Sequence, residues 1–366
     1  MLILDVSNIV FGGHYGSPDY QVMGMPLGGV RKLMGIINSM IMRDDIVLCF
    51  DGSKTIKKEL MPEYKAGRVP NYAVLEQLDL LKEMLLECNI PFYCLDEYEA
   101  DDLICSVVFY TDLMRRDIPI TILSDDRDMA CCVSDTTSIR NATTRGICID
   151  RNNFESRVMR GAVVPYNTIL LHKMLYGDKS DNYPGVHVPG LRFSDFAERY
   201  AQLVTEQIDA GVFTHSAFML LDVMNVFLDS LLGEYSEEDV DKLRAQARIV
   251  FPQIIDVTQH GVGTLLQDAA NPYAGDYQLL SHHFKCSNHT TINSTRLSAY
   301  CDVLGLNRCR ANYNPESKVR FIDEFKESLK LRAQSLVDGS IAVKHYNKHK
   351  SSTLAPESLE NMELPL

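Results

Sequence analysis

Glu99-Ala100-Asp101-Asp102 stands directly before an apolar stretch, Leu103 to Arg116, that reads as a helix. Acids in a first helical turn are ordinary, because the N-terminal dipole favours negative charge there. Three in four residues repel one another, and a dipole effect of about 0.3–1 kcal/mol each does not need the third. Either the helix has an over-decorated N-cap or a cation sits above its mouth. The remaining acids of the chain decide between the two.

Those acids follow strands. Leu2-Ile3-Leu4 ends in Asp5, and Ile46-Val47-Leu48-Cys49-Phe50 ends in Asp51. Pro119-Ile120-Thr121-Ile122-Leu123 runs into Ser124-Asp125-Asp126-Arg127-Asp128, and Pro91 to Leu95 is a fourth candidate strand just before Glu99. None alternates cleanly, as expected of strands buried on both faces. Helical patterns lie between them at about 27–42, 72–88 and 101–116. Strand alternating with helix implies an α/β fold with a parallel sheet. Ligands of such sheets bind beyond the carboxyl ends of the strands. An isolated strand-end Asp is usually a turn residue. The same rim used four times is harder to read as turn chemistry.

With 366 residues, 46% apolar and 23% charged, the chain is globular and long enough for one large domain or two smaller ones. No apolar run reaches the roughly 18 residues of a membrane span, so no membrane partner is expected. Met1 to Asp5 enters a strand without a signal-peptide layout, and ten scattered cysteines suit a reducing, cytoplasmic setting. The net charge of −13 argues only superficially against nucleic acid, since acids gathered in one site and bases on one surface give the same sum.

Beyond the sheet, Ile169 to Tyr176 reads as a helix stopped by Gly177. Asp178 and Asp181 follow, with Lys179 between them, and then two tight turns at Pro184-Gly185 and Pro189-Gly190. Helices are expected at Ala217 to Leu232, at Glu237 to Val250 after a start signal at Ser236, and at Val319 to Leu336. The periodicity weakens from about 255 to 295. Cys286, His289, Cys301 and Cys309 lack the spacing of a standard zinc finger.

The rim acids are then Asp5, Asp51, Glu99, Asp101, Asp102, Asp126, Asp128, Asp178 and Asp181. Nine carboxylates in one cleft cannot stay unpaired. Oxygen-only ligands suit hard cations, Mg²⁺ with Mn²⁺ as a substitute, and nine exceed what one Mg²⁺ takes. A two-metal site is the economical reading, and it serves phosphoryl displacement. The substrate's negative charge has candidate partners in Lys54, Lys57, Lys58, Lys65 and Arg68, with Tyr64 beside them. A base on the aromatic and phosphates on the cations would hold a nucleic-acid end, against the blander reading of a solvated helix.

Taken together these motifs resemble the 5′-nuclease (flap endonuclease) family, which includes bacteriophage 5′–3′ exonucleases and the 5′-nuclease domain of bacterial DNA polymerase I. The resemblance rests on Asp5, Phe50-Asp51-Gly52, Pro62 to Arg68, Glu99 to Asp102, Ser124 to Asp128 and Gly177 to Val186, and covers residues 1 to about 200. It implies a PIN-like core at 1–165 with a helical arch at about 54–90, a helix–three-turn–helix duplex-binding region at 166–255, a helical extension at 256–340 and a flexible tail at 341–366. It implies a first metal on Asp5, Asp51, Glu99 and Asp101, with Asp102 in or near its shell, and a second on Asp126, Asp128, Asp178 and Asp181. Lys65 and Arg68 would steer the scissile phosphate as catalytic groups, and Tyr64 would stack on the terminal nucleotide. Lys54, Lys58, Lys173, Lys179 and Arg192 would line the DNA path.

Departures from the family pattern are Asp125 in place of a Gly, a short arch segment, and His187 to Phe193, where one Gly remains and Arg192 stands for a Lys. The expected activity is hydrolysis near 5′ ends of DNA, at flaps, recessed ends or RNA primers, by a monomer. The alternatives are a structure-specific DNA-binding protein and a PIN-type ribonuclease. A phosphatase is discounted, because no Asp-x-Asp follows the first strand. Glu360 to Leu366 reads as a frayed end, with a docking peptide for a clamp or single-strand-binding protein as the other reading.

Overall fold

The computed structural model describes residues 1–41, 46–52, 55–114, 118–141, 148–153, 168–211, 215–255, 257, 292–306, 313–341 and 344. Lys54, the set Cys286, His289 and Cys309, nearly all of 256–291, and the tail with Glu360 to Leu366 lie outside them.

The chain opens with β1 (Leu2–Asp5), α1 (Val6–Gly16), a small hairpin β2 (Gln21–Val22) and β3 (Met25–Pro26), α2 (Gly28–Met40) and β4 (Ile46–Cys49). Next come α3 (Ile56–Leu60), α4 (Tyr72–Glu87), α5 (Ala100–Met114), β5 (Ile120–Leu123), a 3₁₀ turn (Asp128–Cys132), β6 (Thr137–Arg140) and β7 (Cys148–Ile149). The sheet order is β4-β1-β5-β6-β7, parallel throughout except for β7. Ile3 sits level with Val47 and Ile122, and Leu4 with Leu48 and Leu123. Successive strand residues point to opposite faces, so each trio belongs to a different core. Ile3, Val47 and Ile122 pack with α5 and the helices after residue 169, while Leu4, Leu48 and Leu123 pack with α1, α2 and α4. Burial on both faces explains why these strands do not alternate in sequence.

The expected strand Pro91 to Leu95 makes one parallel bridge, Cys49 to Tyr93. Tyr93 N–H donates to the Leu48 carbonyl at 2.8 Å, and Phe50 N–H to the Tyr93 carbonyl at 2.9 Å. Pro91 brings no N–H, and the chain then turns at Leu95–Tyr98, so no longer ladder forms. The expected arch divides in two. Residues 55–71 cross the rim as α3 and a series of turns, whereas α4 buries Val74, Leu80, Leu81, Met84 and Leu85 in the second core.

The following segment holds α6 (Ile169–Tyr176), a two-residue pair β8 (Gly177–Asp178) and β9 (Tyr183–Pro184), α7 (Phe193–Asp209), α8 (Leu221–Asp229) and α9 (Glu237–Val250). Gly177 ends α6 at φ 73°, a conformation that glycine adopts without penalty. The expected helix from Ala217 is split, because Leu220 is extended (ψ 124°) between a 3₁₀ turn, His215–Met219, and α8. Ser236 caps α9 by accepting from Asp239 N–H, as its start signal requires.

The last helices, α10 (Ser294–Val303) and α11 (Pro315–Val337), return to the N-terminal half. Leu297, Tyr300, Leu304, Phe325 and Leu329 are buried in the same core as α2 and α4. Tyr20 Oη and Arg31 Nε both donate to the Leu304 carbonyl, at 2.6 and 3.2 Å. Glu76 on α4, 1% exposed, is paired with Arg332 and with Lys344 at 3.2 Å. No described helix is long and apolar enough to cross a membrane.

A buried carboxylate stripped of its main cation is strongly destabilising. Arg332→Met is therefore expected to lower unfolding free energy by about 3 kcal/mol, measured by urea titration. Glu76→Gln in the same background should restore part of that loss, because the uncompensated charge is gone.

Candidate metal centre and active-site rim

The rim acids are placed by the turns that leave the strands. Asp5 ends β1 and caps α1, accepting from Asn8 N–H at 3.1 Å, while its other oxygen accepts from Ser124 Oγ at 2.7 Å. Ser124 Oγ in turn accepts from Asp126 N–H at 3.0 Å, and Asp126 accepts from Asp128 N–H at 2.9 Å. One buried hydroxyl thus fixes the loop after β5 relative to β1. Asp51 accepts from Ala100 N–H at 2.8 Å and so caps α5 from the end of β4. Gly52 permits this, since a Cβ there would lie 2.0 Å from the Leu95 carbonyl oxygen.

Among the described residues no ion pair engages Asp5, Asp51, Asp101 or Asp126. Burial, followed by the charge of Asp51, pushes Asp5 up to about 7. Burial and then Asp126, Asp5 and Glu99 push Asp101 well above the usual carboxylate range. These carboxyls repel one another, and Lys57 offsets only part of that repulsion at Asp101. Asp126 belongs electrostatically with Asp5 and Asp101 as well as with Asp128, so the two expected ligand groups merge at this residue.

The other acids are held by cations. Glu99, 4% exposed, binds Lys65 at 2.7 Å and Lys57 at 3.2 Å and accepts from Tyr64 Oη at 2.9 Å. Burial raises its pKa, but Lys57 and Lys65 outweigh burial and bring it to about 2. Asp102 spends one oxygen on Lys57 (3.1 Å) and Gln253 N–H (2.9 Å), and the other on Glu99 N–H (3.0 Å). In this arrangement it ties the mouth of α5 to Lys57 and Gln253. Lys57, 5% exposed, is therefore a buried counter-ion and not part of a solvated basic face. Its position seven residues before Tyr64 gave no sequence signal that separates it from its exposed neighbour Lys58.

Tyr64 also departs from expectation. It is 4% exposed, its hydroxyl is on Glu99, its ring lies 6.1 Å from that of Tyr183, and the Lys65 ammonium sits 4.9 Å from its face. A ring enclosed in this way cannot stack on a nucleotide. Two residues in the left-handed region, Lys65 (φ 55°) and Asn182 (φ 57°), lock this segment to the next loop. Lys65 N–H donates to the Asp181 carbonyl at 2.8 Å, and Asn182 Nδ2 to the Glu63 carbonyl at 3.0 Å.

Asp128, Asp178 and Asp181 offer oxygens that lie within 4.8 Å of one another. Lys173 bridges Asp128 and Asp178, the latter at 2.5 Å, and Arg68 pairs with Asp181 at 2.5 Å. Lys173 is thus engaged by the acids of the site. Burial, then Asp126, raises Asp128 to about 7, whereas Lys173 and Ser180 outweigh burial at Asp178 and hold it at about 2. An open cleft of about 560 Å³ lies over these acids, and its cationic walls are Arg68, Arg127, Lys173 and Lys179. Arg127 was missed in the sequence because it stands inside the acidic run Asp125 to Asp128. Lys58 and Lys179 are exposed. Arg192 is exposed at the start of α7 and pairs with Asp195 at 2.7 Å.

The donor set fits hard divalent cations. It is all oxygen, it includes carboxyls with no ion pair among the described residues, and it gathers more negative charge than the described cations offset. Asp5, Asp51, Asp101 and Asp126, with Asp128, Asp178 and Asp181 beside them, are the residues that would hold such ions.

The chain is similar to known proteins over its N-terminal part. Residues 1–159 match the family model described as the 5′-3′ exonuclease, N-terminal resolvase-like domain. A 5′-3′ exonuclease of Bacillus subtilis (strain 168) is 33% identical over 174 residues, which are 44% of this chain and 55% of that protein. DNA polymerase I of Bacillus caldotenax is 29% identical over 198 residues, 52% of this chain and 22% of the polymerase. The chain thus spans about half the length of the first relative and about a fifth of the second. The solved structure of T5 5′-exonuclease with bound divalent metal ions (zinc) aligns with a TM-score of 0.43 at 18% identity, covering 68% of this chain and 98% of that one. By its sequence, the N-terminal part of this chain, residues 1–159, is similar to the N-terminal resolvase-like domain of 5′-3′ exonucleases.

Proposed function

We propose that the protein is a metal-dependent 5′-nuclease that hydrolyses phosphodiester bonds near the 5′ ends of DNA, including flaps, recessed ends and RNA primers, acting as a monomer in the cytoplasm. The observation that carries this reading is the group Asp5, Asp51, Asp101 and Asp126, gathered at the carboxyl ends of parallel strands with no described cation on them. The similarity of residues 1–159 to the 5′-3′ exonuclease N-terminal family model supports it. Two Mg²⁺ ions, with Mn²⁺ as a substitute, fit the number and hardness of the donors. When bound, such ions lower the pKa of water and stabilise the charge of an in-line displacement at phosphorus.

The chain's own groups do the rest. Lys65 and Arg68 sit on Glu99 and Asp181 at the edge of the cleft, on a segment pinned by two left-handed residues. From there they reach a phosphodiester laid over the acids and orient it. Arg127 and Lys179 on the cleft wall, with Lys58 and Arg192 farther out, supply the backbone contacts of the DNA. Ser124 keeps Asp5 and Asp126 in register, and Lys57 with Asp102 keeps α5 in place below.

The deciding experiment is cleavage of end-labelled DNA in Mg²⁺, using a 5′-flap duplex, a recessed 5′ end and a single strand. Cutting from 5′ ends is expected, abolished by a chelator and lowered roughly 10²–10³-fold by Asp101→Asn. Failure to cut any substrate while flap binding persists would overturn the reading.

Lys65 offers a sharper test. It neutralises Glu99 in the metal-free fold, so Lys65→Met removes a competitor for that carboxylate. Thermal scans should show a larger Mg²⁺-dependent rise in Tm for the variant, while its kcat falls by at least about tenfold. A purely structural lysine would lower both together.

Arg127 and Lys179 should act on affinity alone. The Arg127→Ala/Lys179→Ala variant is expected to flatten the plot of log Kd against log salt by about 1.8, two phosphate contacts at about 0.9 each. Fluorescence anisotropy on a duplex, in Ca²⁺ to prevent cutting, measures this.

A further inference from the structure

A second donor cluster lies under the carboxylates, and it is made of sulfur. Cys105 on α5 meets Cys131 and Cys132 on the 3₁₀ turn, with Sγ–Sγ separations of 3.8 Å (Cys105–Cys131), 3.3 Å (Cys105–Cys132) and 3.9 Å (Cys131–Cys132). The Met219 thioether is 4.0 Å from Cys132 Sγ. All three cysteines are free thiols. A zinc–thiolate bond of about 2.3 Å places the sulfurs of a tetrahedral site about 3.8 Å apart. Two of the three separations already have that length, and the third opens by about half an ångström.

Buried cysteines often serve only as small apolar residues. Three thiols and a thioether that converge from three separate elements do more than fill space. Cys105 and Cys131 also line a pocket of about 30 Å³ that they share with Asp101 and Asp128, which gives an ion a polar way in from the rim.

We infer that Cys105, Cys131 and Cys132, with Met219 beside them, form a binding site for one soft cation, Zn²⁺, separate from the oxygen-lined centre above. Soft thiolates select zinc, whereas carboxylates suit Mg²⁺ and Mn²⁺, so the two sites sort cations by hardness. Their positions couple them mechanically. Cys105 follows Asp101 by four residues on the same helix face, and Cys131 follows Asp128 by three. Zinc at the thiols ties α5 to the 3₁₀ turn directly beneath two of the carboxylates. The site stands whether or not the protein cuts DNA.

Cobalt(II) is the probe, because a thiolate-to-cobalt charge-transfer band reports sulfur ligation and carboxylate-bound cobalt gives none. The full-length protein, with excess Mg²⁺ on the oxygen sites, is titrated with Co²⁺ and then with Zn²⁺. The expected result is a near-ultraviolet charge-transfer band that saturates at one equivalent and is bleached by one equivalent of Zn²⁺. It should survive in Asp126→Asn/Asp128→Asn and vanish in Cys131→Ala. The absence of a thiolate band, or its persistence in Cys131→Ala, overturns the proposal. Independently of any variant, Zn²⁺ added to the Mg²⁺-loaded wild type should slow alkylation of Cys131 at least tenfold, read by peptide mass spectrometry. Cys148, also partly exposed, is the internal control, and equal slowing or no slowing of the two overturns the proposal.

Discussion

Mutual repulsion among the carboxylates at the end of the parallel sheet is the constraint on which the rest of the structure depends. Asp5 and Asp101 ionise with difficulty because burial and neighbouring acids act in the same direction. Such a group survives folding only where the surrounding backbone leaves it no alternative. That role falls to the strand ends: Asp5 is bound to α1 and Ser124, and Asp51 to the first turn of α5. The same hydrogen bonds that terminate strands and start helices therefore hold like charges together.

Counter-charge enters from two loops distant in sequence. Lys57 and Lys65 come from the segment after β4, and Lys173 from α6. The first segment cannot slide relative to the second loop, because the backbone contacts through Lys65 and Asn182 fix its height above the sheet. The left-handed conformation of these two residues, which a glycine would adopt more readily, marks the point where geometry was kept at the expense of backbone comfort. The C-terminal helices stabilise the arrangement from behind. They close the core under α2 and α4, so α4 is a fixed wall of the domain and not a mobile part of an arch.

Much of this was legible in the chain. Asp after a short aliphatic run identified β1, β4 and β5 together with their rim, and Ser236 and Gly177 marked helix ends correctly. What sequence could not give was direction and depth. Lys57 and Lys58 are neighbours of one chemistry, yet one is buried against Glu99 and Asp102 and the other exposed, a difference set by which side of a five-residue helix faces the core. Tyr64 looked like a stacking platform because aromatics beside cations suit nucleic acid, and only the packing against Tyr183 shows the ring enclosed. Asp102 was placed in or near the first metal's shell by the family resemblance, whereas the packing puts it on Lys57, Gln253 N–H and Glu99 N–H. Cys105 and the pair Cys131-Cys132 lie too far apart in sequence to suggest a common site, and only the packing of α5 on the 3₁₀ turn brings them together.

Lys65 and Arg68 face two competing sets of anions. They lie on Glu99 and Asp181, close enough for charge-assisted hydrogen bonds. A phosphate over the cleft presents the same geometry to the same donors, but an ammonium satisfied by a carboxylate has little left to offer it. Asp101 adds to the field of Glu99 and Asp181 on Lys65, so positive charge placed on Asp101 would weaken the hold on that ammonium. On the proposed function, loading the oxygen site and freeing Lys65 for phosphate would then be one electrostatic event. The strength of the Glu99–Lys65 pair, buried and reinforced by Tyr64, sets how much positive charge that event requires.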